Sequence, residues 1–142
     1  MFKNILVAID LDEEASWRKA LPAALEMART SSARVHLIYV IPSFGLSVVG
    51  QYFPEGTEER ILEEAHQALH RFADEHVDKD LCDSCVIGNG TIYQEILDGA
   101  DRLDADLIVM GSHRPSMSDY LIGPNAARVV RHAPISVLVV RD

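Results

Sequence analysis

The chain has 142 residues, of which 48% are hydrophobic and 25% are charged. These values are typical of one globular domain with a full core, so we expect residues 1–142 to form a single domain. The net charge of −9 and the pI near 5.0 argue against a nucleic-acid-binding protein, which would need a basic surface. The first apolar run, residues 5–9, is too short for a signal peptide or a membrane span. We therefore expect a cytoplasmic protein without membrane insertion.

Short apolar segments alternate with amphipathic segments along the whole chain. The predicted strands are residues 4–9, 34–40, 83–88, 106–110 and 135–140. The first predicted helix either has a kink at Pro22 or begins near it. The others begin at Thr57, after Thr91 as N-cap and at Gly123, and the helix from Thr57 ends at His76. This β-α alternation predicts an α/β fold, a doubly wound five-stranded parallel sheet with helices on both faces. The third strand is the least apolar, so we expect it at an edge, and residues 43–56 form the long loop.

The segment from residue 105 to residue 141 is the most informative about function. An apolar strand ends at Gly111, a residue type that allows a ligand to approach the backbone closely. Gly123 stands where the last helix begins, and the free N–H groups of a helix N-terminus suit a phosphate. Asp10 follows the first strand, and ligands gather at the carboxyl ends of strands in open parallel sheets.

This segment resembles the universal stress protein family. The family pattern is Gly-x-x-Gly, nine residues, Gly-Ser or Gly-Thr, a helix and a final apolar strand; Gly111, Gly123, the turn at residues 131–134 and residues 137–140 match it. The Gly-Ser-His start of the loop resembles the small single-domain bacterial members. Arg114 replaces the second Gly, Pro115 follows it, and the linker is one residue short. Pro124 replaces the Ser or Thr, so a hydroxyl and a backbone donor are lost together.

The resemblance implies a Rossmann-like sheet with strand order 3-2-1-4-5 that binds an adenine nucleotide. The implied ligand is ATP or AMP, with Mg²⁺ as a companion ion, in a regulatory or stress-protection module that is not an enzyme. Asp10 and Val40 would hold the ribose and adenine, and the glycine loop and following helix would hold the phosphates. The residues carried over are Ala8, Asp10, Val40, Met110, Gly111, His113, Gly123 and Asn125. Arg114 adds a further cation that suits phosphate oxygens.

Two other functions stay open at this point. Arg114 and Pro124 would close the phosphate loop in a nucleotide-free interaction protein, and slow ATP hydrolysis would make the chain a weak ATPase. Asp10 has an equally plausible role as a turn or capping residue. A receiver domain is excluded, because the predicted third strand ends in Gly-Asn-Gly where the phosphoacceptor Asp would stand.

The chain has two pairs of potential metal ligands, and we predict a metal site at neither. Cys82 and Cys85 lack the further ligands that zinc requires, and the pair precedes a strand where thioredoxin-like chemistry needs a helix. We expect two surface thiols there. His66 and His70 have chelating i, i+4 spacing, but such residues are common on solvated helix faces.

The family resemblance also implies a homodimer, and the last predicted strand offers a surface for it. Residues 135–140 are apolar and end the sheet at an open edge. Pairing with a second copy of this strand would cover that edge. A protein partner of unknown identity is a further expectation for a regulatory module.

Overall fold

The computed structural model describes residues 1–42, 55–112 and 123–142. Within these ranges, strands and α-helices alternate as predicted. The elements are β1 (Asn4–Ala8), a short 3₁₀ helix (Glu14–Ser16), α1 (Ala20–Ser31), β2 (Arg34–Pro42), α2 (Thr57–His76), β3 (Cys82–Gly90), α3 (Ile92–Arg102), β4 (Leu107–Ser112), α4 (Pro124–His132) and β5 (Ser136–Arg141).

The five strands form one parallel sheet in the order β3-β2-β1-β4-β5. This confirms the predicted fold class and strand order, including the edge position of β3. The chain builds outward from β1 to β3 and then returns to place β4 on the other side of β1. The switch point of the sheet, where the strand order reverses, therefore lies between β1 and β4.

Alternating side chains of the sheet bury two separate apolar clusters. Ile5 and Val7 of β1 pack in a cluster with α1 and α2, whereas Leu6 packs in a cluster with α3 and α4. All three side chains are fully buried. Burial of each such side chain stabilises the fold by about 1.5–3 kcal/mol, and the alternation confirms that helices cover both faces of the sheet.

Three strands are longer than predicted: β2 continues to Pro42, and β3 and β4 have ends that are not apolar. β4 continues through Gly111 and Ser112, which pair with Val140 and Arg141 of β5. β3 begins at Cys82, so the cysteine pair lies inside the strand and does not precede it. Its register against β2 also shifts by one residue near its start, a feature that depends on pairing and leaves no trace in the hydrophobic pattern.

The remaining boundaries agree with the prediction to within one or two residues. α2 spans the predicted residues, and the left-handed Gly56 precedes it. Thr91 is the N-cap residue of α3, but its side chain makes no capping hydrogen bond. Most of the predicted long loop, residues 43–54, lies outside the described residues. No helix in the described part of the chain is long and apolar enough to cross a membrane.

Candidate functional site

A cavity opens at the carboxyl ends of the strands, beside the switch point. Its volume is about 150 Å³, and its lining includes six of the predicted site residues: Ala8, Asp10, Val40, Met110, Gly111 and Asn125. The other lining residues are Ile9, Ser16, Ile38, Ile92 and Ile96. Pockets that enclose a whole small-molecule ligand measure about 300–1,000 Å³. The cavity is therefore large enough for one flat part of a nucleotide.

The inner wall of the cavity is apolar. Ile38 and Val40 of β2, Ile96 of α3 and Met110 of β4 are each at most 9% exposed. They belong to the cluster between the sheet and the helices α3 and α4. A wall of this composition favours the face of a planar ring over a charged group, because it offers dispersion contacts and no partner for a charge.

Asp10 is the acidic residue at the mouth of the cavity, and one of its carboxylate oxygens holds the adjoining turn. The Asp12 N–H donates to Asp10 Oδ1 over 3.0 Å, and the Glu13 N–H donates to the Asp10 carbonyl over 3.1 Å. Ser16 completes the turn: the Asp10 N–H donates to Ser16 Oγ over 2.9 Å, and Ser16 Oγ donates to the Asp10 carbonyl over 3.2 Å. Among the described residues, none donates a hydrogen bond to Asp10 Oδ2. That oxygen can accept hydrogen bonds from a ligand.

Tyr39 reinforces the same turn from β2. Its hydroxyl donates to Asp12 Oδ2 over 3.2 Å. Burial, together with the nearby carboxylates of Asp12 and Asp10, raises the pKa of Tyr39 to about 12. The phenol therefore stays protonated at neutral pH and remains a donor to Asp12.

Gly111 is required by a contact within the protein. A Cβ atom at this position would lie 2.5 Å from the carbonyl oxygen of Ser16, which is closer than real Cβ atoms approach an oxygen. The end of β4 is thus pressed against the short 3₁₀ helix that follows β1. The sequence predicted a close backbone approach here, but a ligand was the expected neighbour. The structure places the chain's own backbone there.

The beginning of α4 borders the cavity through Asn125. Gly123 is buried and is the N-cap residue, as predicted, and its N–H lies 3.3 Å from Ser112 Oγ, the acceptor. Pro124 occupies the first turn, where its missing N–H costs no helical hydrogen bond. The N–H groups of Asn125 and Ala126 belong to the first turn of the helix, which lacks intrahelical acceptors. They are available to an anion.

The remaining predicted phosphate contacts, His113 and Arg114, lie outside the described residues. The shortened linker and Pro115 lie there as well. Within the described ranges, no group of three or more His, Cys, Asp or Glu side chains has an arrangement suited to a metal ion.

A second cavity, of about 210 Å³, lies at the opposite end of the strands, where β4 and β5 begin. It is lined by the end of α3 and the starts of β4 and β5, with Asp101 and Asp104 as its acidic residues. Although it is the larger of the two, it lies away from the carboxyl ends of the strands, where open parallel sheets bind their ligands. It also contains none of the predicted site residues.

Sequence reasoning missed two kinds of lining residue. Ser16 contributes through the turn with Asp10, and its only signal was a Ser six residues after an Asp in an acidic, turn-prone stretch. Ile92 and Ile96 have helical spacing at the start of α3 and were recognisable as an apolar face. Their place in this cavity depends on how α3 packs on the sheet, which periodicity does not reveal.

Comparisons with known proteins agree with this architecture. The model of the "Universal stress protein family" matches residues 1–141. Universal stress protein G of Escherichia coli O157:H7 is 30% identical over 143 residues, which cover 99% of this chain and 100% of that protein. The structure of a universal stress protein from Archaeoglobus fulgidus superposes with a TM-score of 0.70 at 26% identity, with 98% of each chain covered.

A structure of the universal stress protein from Archaeoglobus fulgidus in complex with dAMP has the same fold. Its TM-score is 0.61 at 22% identity, with 96% of each chain covered. The family model covers nearly the whole chain, and the relative from Escherichia coli matches along its full length. The chain therefore belongs to the universal stress protein family.

Proposed function

We propose that the protein binds an adenine nucleotide in the cavity at the switch point and acts as a regulatory or stress-protection module. The observation that carries the proposal is the convergence of six predicted residues on one cavity with an apolar wall and a carboxylate at its mouth. Family membership supports the stress-related role. The proposal covers residues 1–142 as one domain, acting in the cytoplasm.

The proposed arrangement gives each part of the nucleotide a different surface. The adenine ring packs against Ile38, Val40 and Met110, which supply dispersion contacts. Asp10 Oδ2 accepts a hydrogen bond from a ribose hydroxyl or from the adenine amino group. The phosphate lies at the N-terminus of α4, where the N–H groups of Asn125 and Ala126 and the helix dipole favour negative charge.

We propose an adenosine monophosphate as the minimal ligand. The dAMP complex of a protein with the same fold supports this choice. Pro124 supplies neither a hydroxyl nor an N–H, so α4 offers fewer donors to a longer phosphate chain. ATP affinity then depends on His113 and Arg114, and Mg²⁺ would be held chiefly by the phosphates, since the described residues form no metal cluster.

Bound nucleotide can be detected directly in the purified protein. Freshly purified protein is denatured, and the supernatant is separated by ion-exchange chromatography for AMP, ADP and ATP. We expect an adenine nucleotide, or micromolar binding of AMP once the protein has been stripped. Absence of both, up to millimolar AMP, would favour the nucleotide-free interaction protein. Release of phosphate from ATP, lost in an Asp10→Ala variant, would favour the slow ATPase.

We further propose that the protein is a homodimer joined through β5. Among the described residues this strand pairs only with β4, and Val137, Leu138, Val139 and Val140 are only partly buried. Val130 of the neighbouring helix α4 is 48% exposed. A second copy of β5 would cover these apolar side chains. Light scattering should give twice the 15.7 kDa mass of one chain, and a single-chain mass at high concentration would contradict the dimer.

A further inference from the structure

The start of β3 brings two cysteines to the same face of the sheet. Cys82 pairs with Val35 and Cys85 pairs with Leu37, so three steps along β3 correspond to two steps along β2. The extra residue, Asp83, lies at the register shift. Val35 and Leu37 are two apart on a strand and face the same side, so the two cysteines face that side as well. In a regular strand, residues three apart would point to opposite faces.

The two thiols influence each other's ionisation and are half-buried, whereas the sequence analysis expected two surface thiols. Both are partly buried, and both pack against the apolar cluster beneath α1 and α2. A hydrogen bond from the Cys85 thiol to the Cys82 sulfur, opposed by burial and assisted by Arg34, lowers the pKa of Cys82 to about 7. The same hydrogen bond and burial raise the pKa of Cys85, which therefore keeps its proton.

A cavity gives small molecules access to this pair. Its volume is about 190 Å³, and it is lined by both cysteines together with His70, Asp74 and Lys79. A water molecule occupies about 30 Å³ of liquid, so a molecule the size of a peroxide fits easily. Asp74 and Asp83 oppose ionisation of the Cys82 thiol, but the hydrogen bond from Cys85 outweighs them.

We propose that Cys82 and Cys85 are a redox-active thiol pair, in which Cys82 reacts with a peroxide and Cys85 closes a disulfide within the chain. In the first step the Cys82 sulfur attacks hydrogen peroxide, an S–O bond forms, the O–O bond breaks, and the departing hydroxide takes a proton to become water. In the second step the Cys85 sulfur attacks the Cys82 sulfenic acid, and a second water leaves. Two thiols and one peroxide thus give one disulfide and two waters.

The order of the two steps follows from the position of Arg34, whose guanidinium donates to the Cys82 carbonyl over 3.4 Å and favours a thiolate on Cys82. Cys82 is the group with thiolate character, so it is the nucleophile toward peroxide. Once Cys82 is oxidised, it no longer carries the negative charge that holds the proton on Cys85. Cys85 can then ionise and attack. A zinc site does not explain the pair, because the described residues contain no group of three or more His, Cys, Asp or Glu side chains arranged to hold a metal ion.

This proposal is independent of nucleotide binding. The cysteines lie at the start of β3, whereas the nucleotide cavity lies at the carboxyl ends of the strands. The sequence analysis named the pair but expected two separate surface thiols, because only the register shift against β2 places two residues three apart on one face.

The wild-type protein allows a direct test, because trypsin leaves both cysteines in the peptide of residues 80–102. Full-length protein is treated with equimolar hydrogen peroxide, alkylated with N-ethylmaleimide, digested and analysed by mass spectrometry. We expect the peptide to lose two hydrogen atoms and to carry no maleimide, and dithiothreitol to restore both reactive thiols. The proposal is wrong if both cysteines remain alkylatable, or if the disulfide joins two chains.

Two variants separate activation of Cys82 from closure of the disulfide. Cys85→Ser keeps a hydroxyl donor but no second sulfur, so peroxide should stop at a Cys82 sulfenic acid that dimedone traps. Cys85→Ala removes the donor, so maleimide labelling of Cys82 at neutral pH should slow about threefold. The thiolate fraction of Cys82 falls in this variant, and the greater nucleophilicity of its sulfur offsets only part of that loss. Circular dichroism confirms folding of each variant. Equal labelling rates in the two variants would show that the hydrogen bond does not activate Cys82.

Discussion

The two oxygens of the Asp10 carboxylate have different surroundings. Its Oδ1 atom accepts the Asp12 N–H and holds the turn after β1, while its Oδ2 accepts no hydrogen bond from any described residue. The two roles that the sequence left open, turn residue and ligand contact, are therefore compatible. The turn role is present in the structure, and the ligand role is the proposal.

Asp10→Asn should weaken AMP binding about tenfold or more. The amide can replace the acceptor of the turn at Oδ1, but it loses the negative charge, and a hydrogen bond to a charged group contributes about 1.5–3 kcal/mol. Isothermal titration calorimetry measures the change. Asp80→Asn is the matched control, since Asp80 is exposed and lies before β3, at the opposite end of the strands from the cavity. Equal affinities of the two variants would remove Asp10 from the site.

His36 is the buried polar residue of β2, and it is 3% exposed. Its Nε2 atom lies 3.0 Å from Asn4 Oδ1, an acceptor, so Nε2 carries the proton of the neutral ring. Its Nδ1 atom is buried and has no hydrogen-bond partner among the described residues. Burial, assisted by Arg34 and opposed by Asp83, lowers the pKa of His36 below its ordinary 6.5.

The free energy of unfolding should therefore fall as the pH drops below about 6.5. In that range the unfolded chain binds a proton at His36 that the folded chain excludes, so the stability present above pH 6.5 is lost toward the lower, folded-state pKa. Urea titrations at about pH 7.5 and about pH 5.5 measure the difference. The His36→Leu substitution should reduce this difference in the free energy of unfolding. Substitution of the exposed His132, in His132→Gln, should leave the difference unchanged. An unchanged pH dependence in His36→Leu would contradict this account.

At the scale of elements, the predicted boundaries are most accurate where nearby residues mark the end of a helix or strand. α2 begins and ends as predicted, because it follows Gly56 and has glutamates in its first turn. β3 extends beyond its predicted range by one residue at its start and by two residues at its end, where Asn89 and Gly90 give no apolar signal. Its register shift depends on β2 and therefore on the tertiary structure.

In the proposed site, α4 limits how many donors are available to the phosphates. Pro124 suits the first turn of the helix but provides neither a hydroxyl nor an N–H. Pro124→Ser should therefore tighten ATP binding by roughly two- to tenfold, the effect of one added hydrogen bond of about 0.5–1.5 kcal/mol. Fluorescence competition against a labelled adenine nucleotide would measure it.

Pro134→Ser is the matched control for that change, because Pro134 lines the second cavity, at the opposite end of the strands. Its ATP affinity should equal that of the wild type. If Pro124→Ser also leaves ATP affinity unchanged, the start of α4 does not contact the phosphates.

At the scale of the whole molecule, the strand order determines where the site lies. Placing β4 beside β1 brings Asp10 and Gly111 to one cavity although about a hundred residues of sequence separate them. The family resemblance was sufficient to predict that Asp10 and Gly111 lie close together. The cavity's apolar wall was only partly predictable, since the contributions of Ile92 and Ile96 require α3 to be docked on the sheet.

The most direct test of the account is a calorimetric titration of AMP into nucleotide-free wild-type protein, with GMP titrated in parallel. The account predicts one site per chain with micromolar affinity for AMP and much weaker binding of GMP, because the guanine ring has different hydrogen-bonding groups on its edge. Absence of AMP binding at millimolar concentration would contradict it. Equal affinity for the two nucleotides would show that the apolar cavity does not recognise adenine.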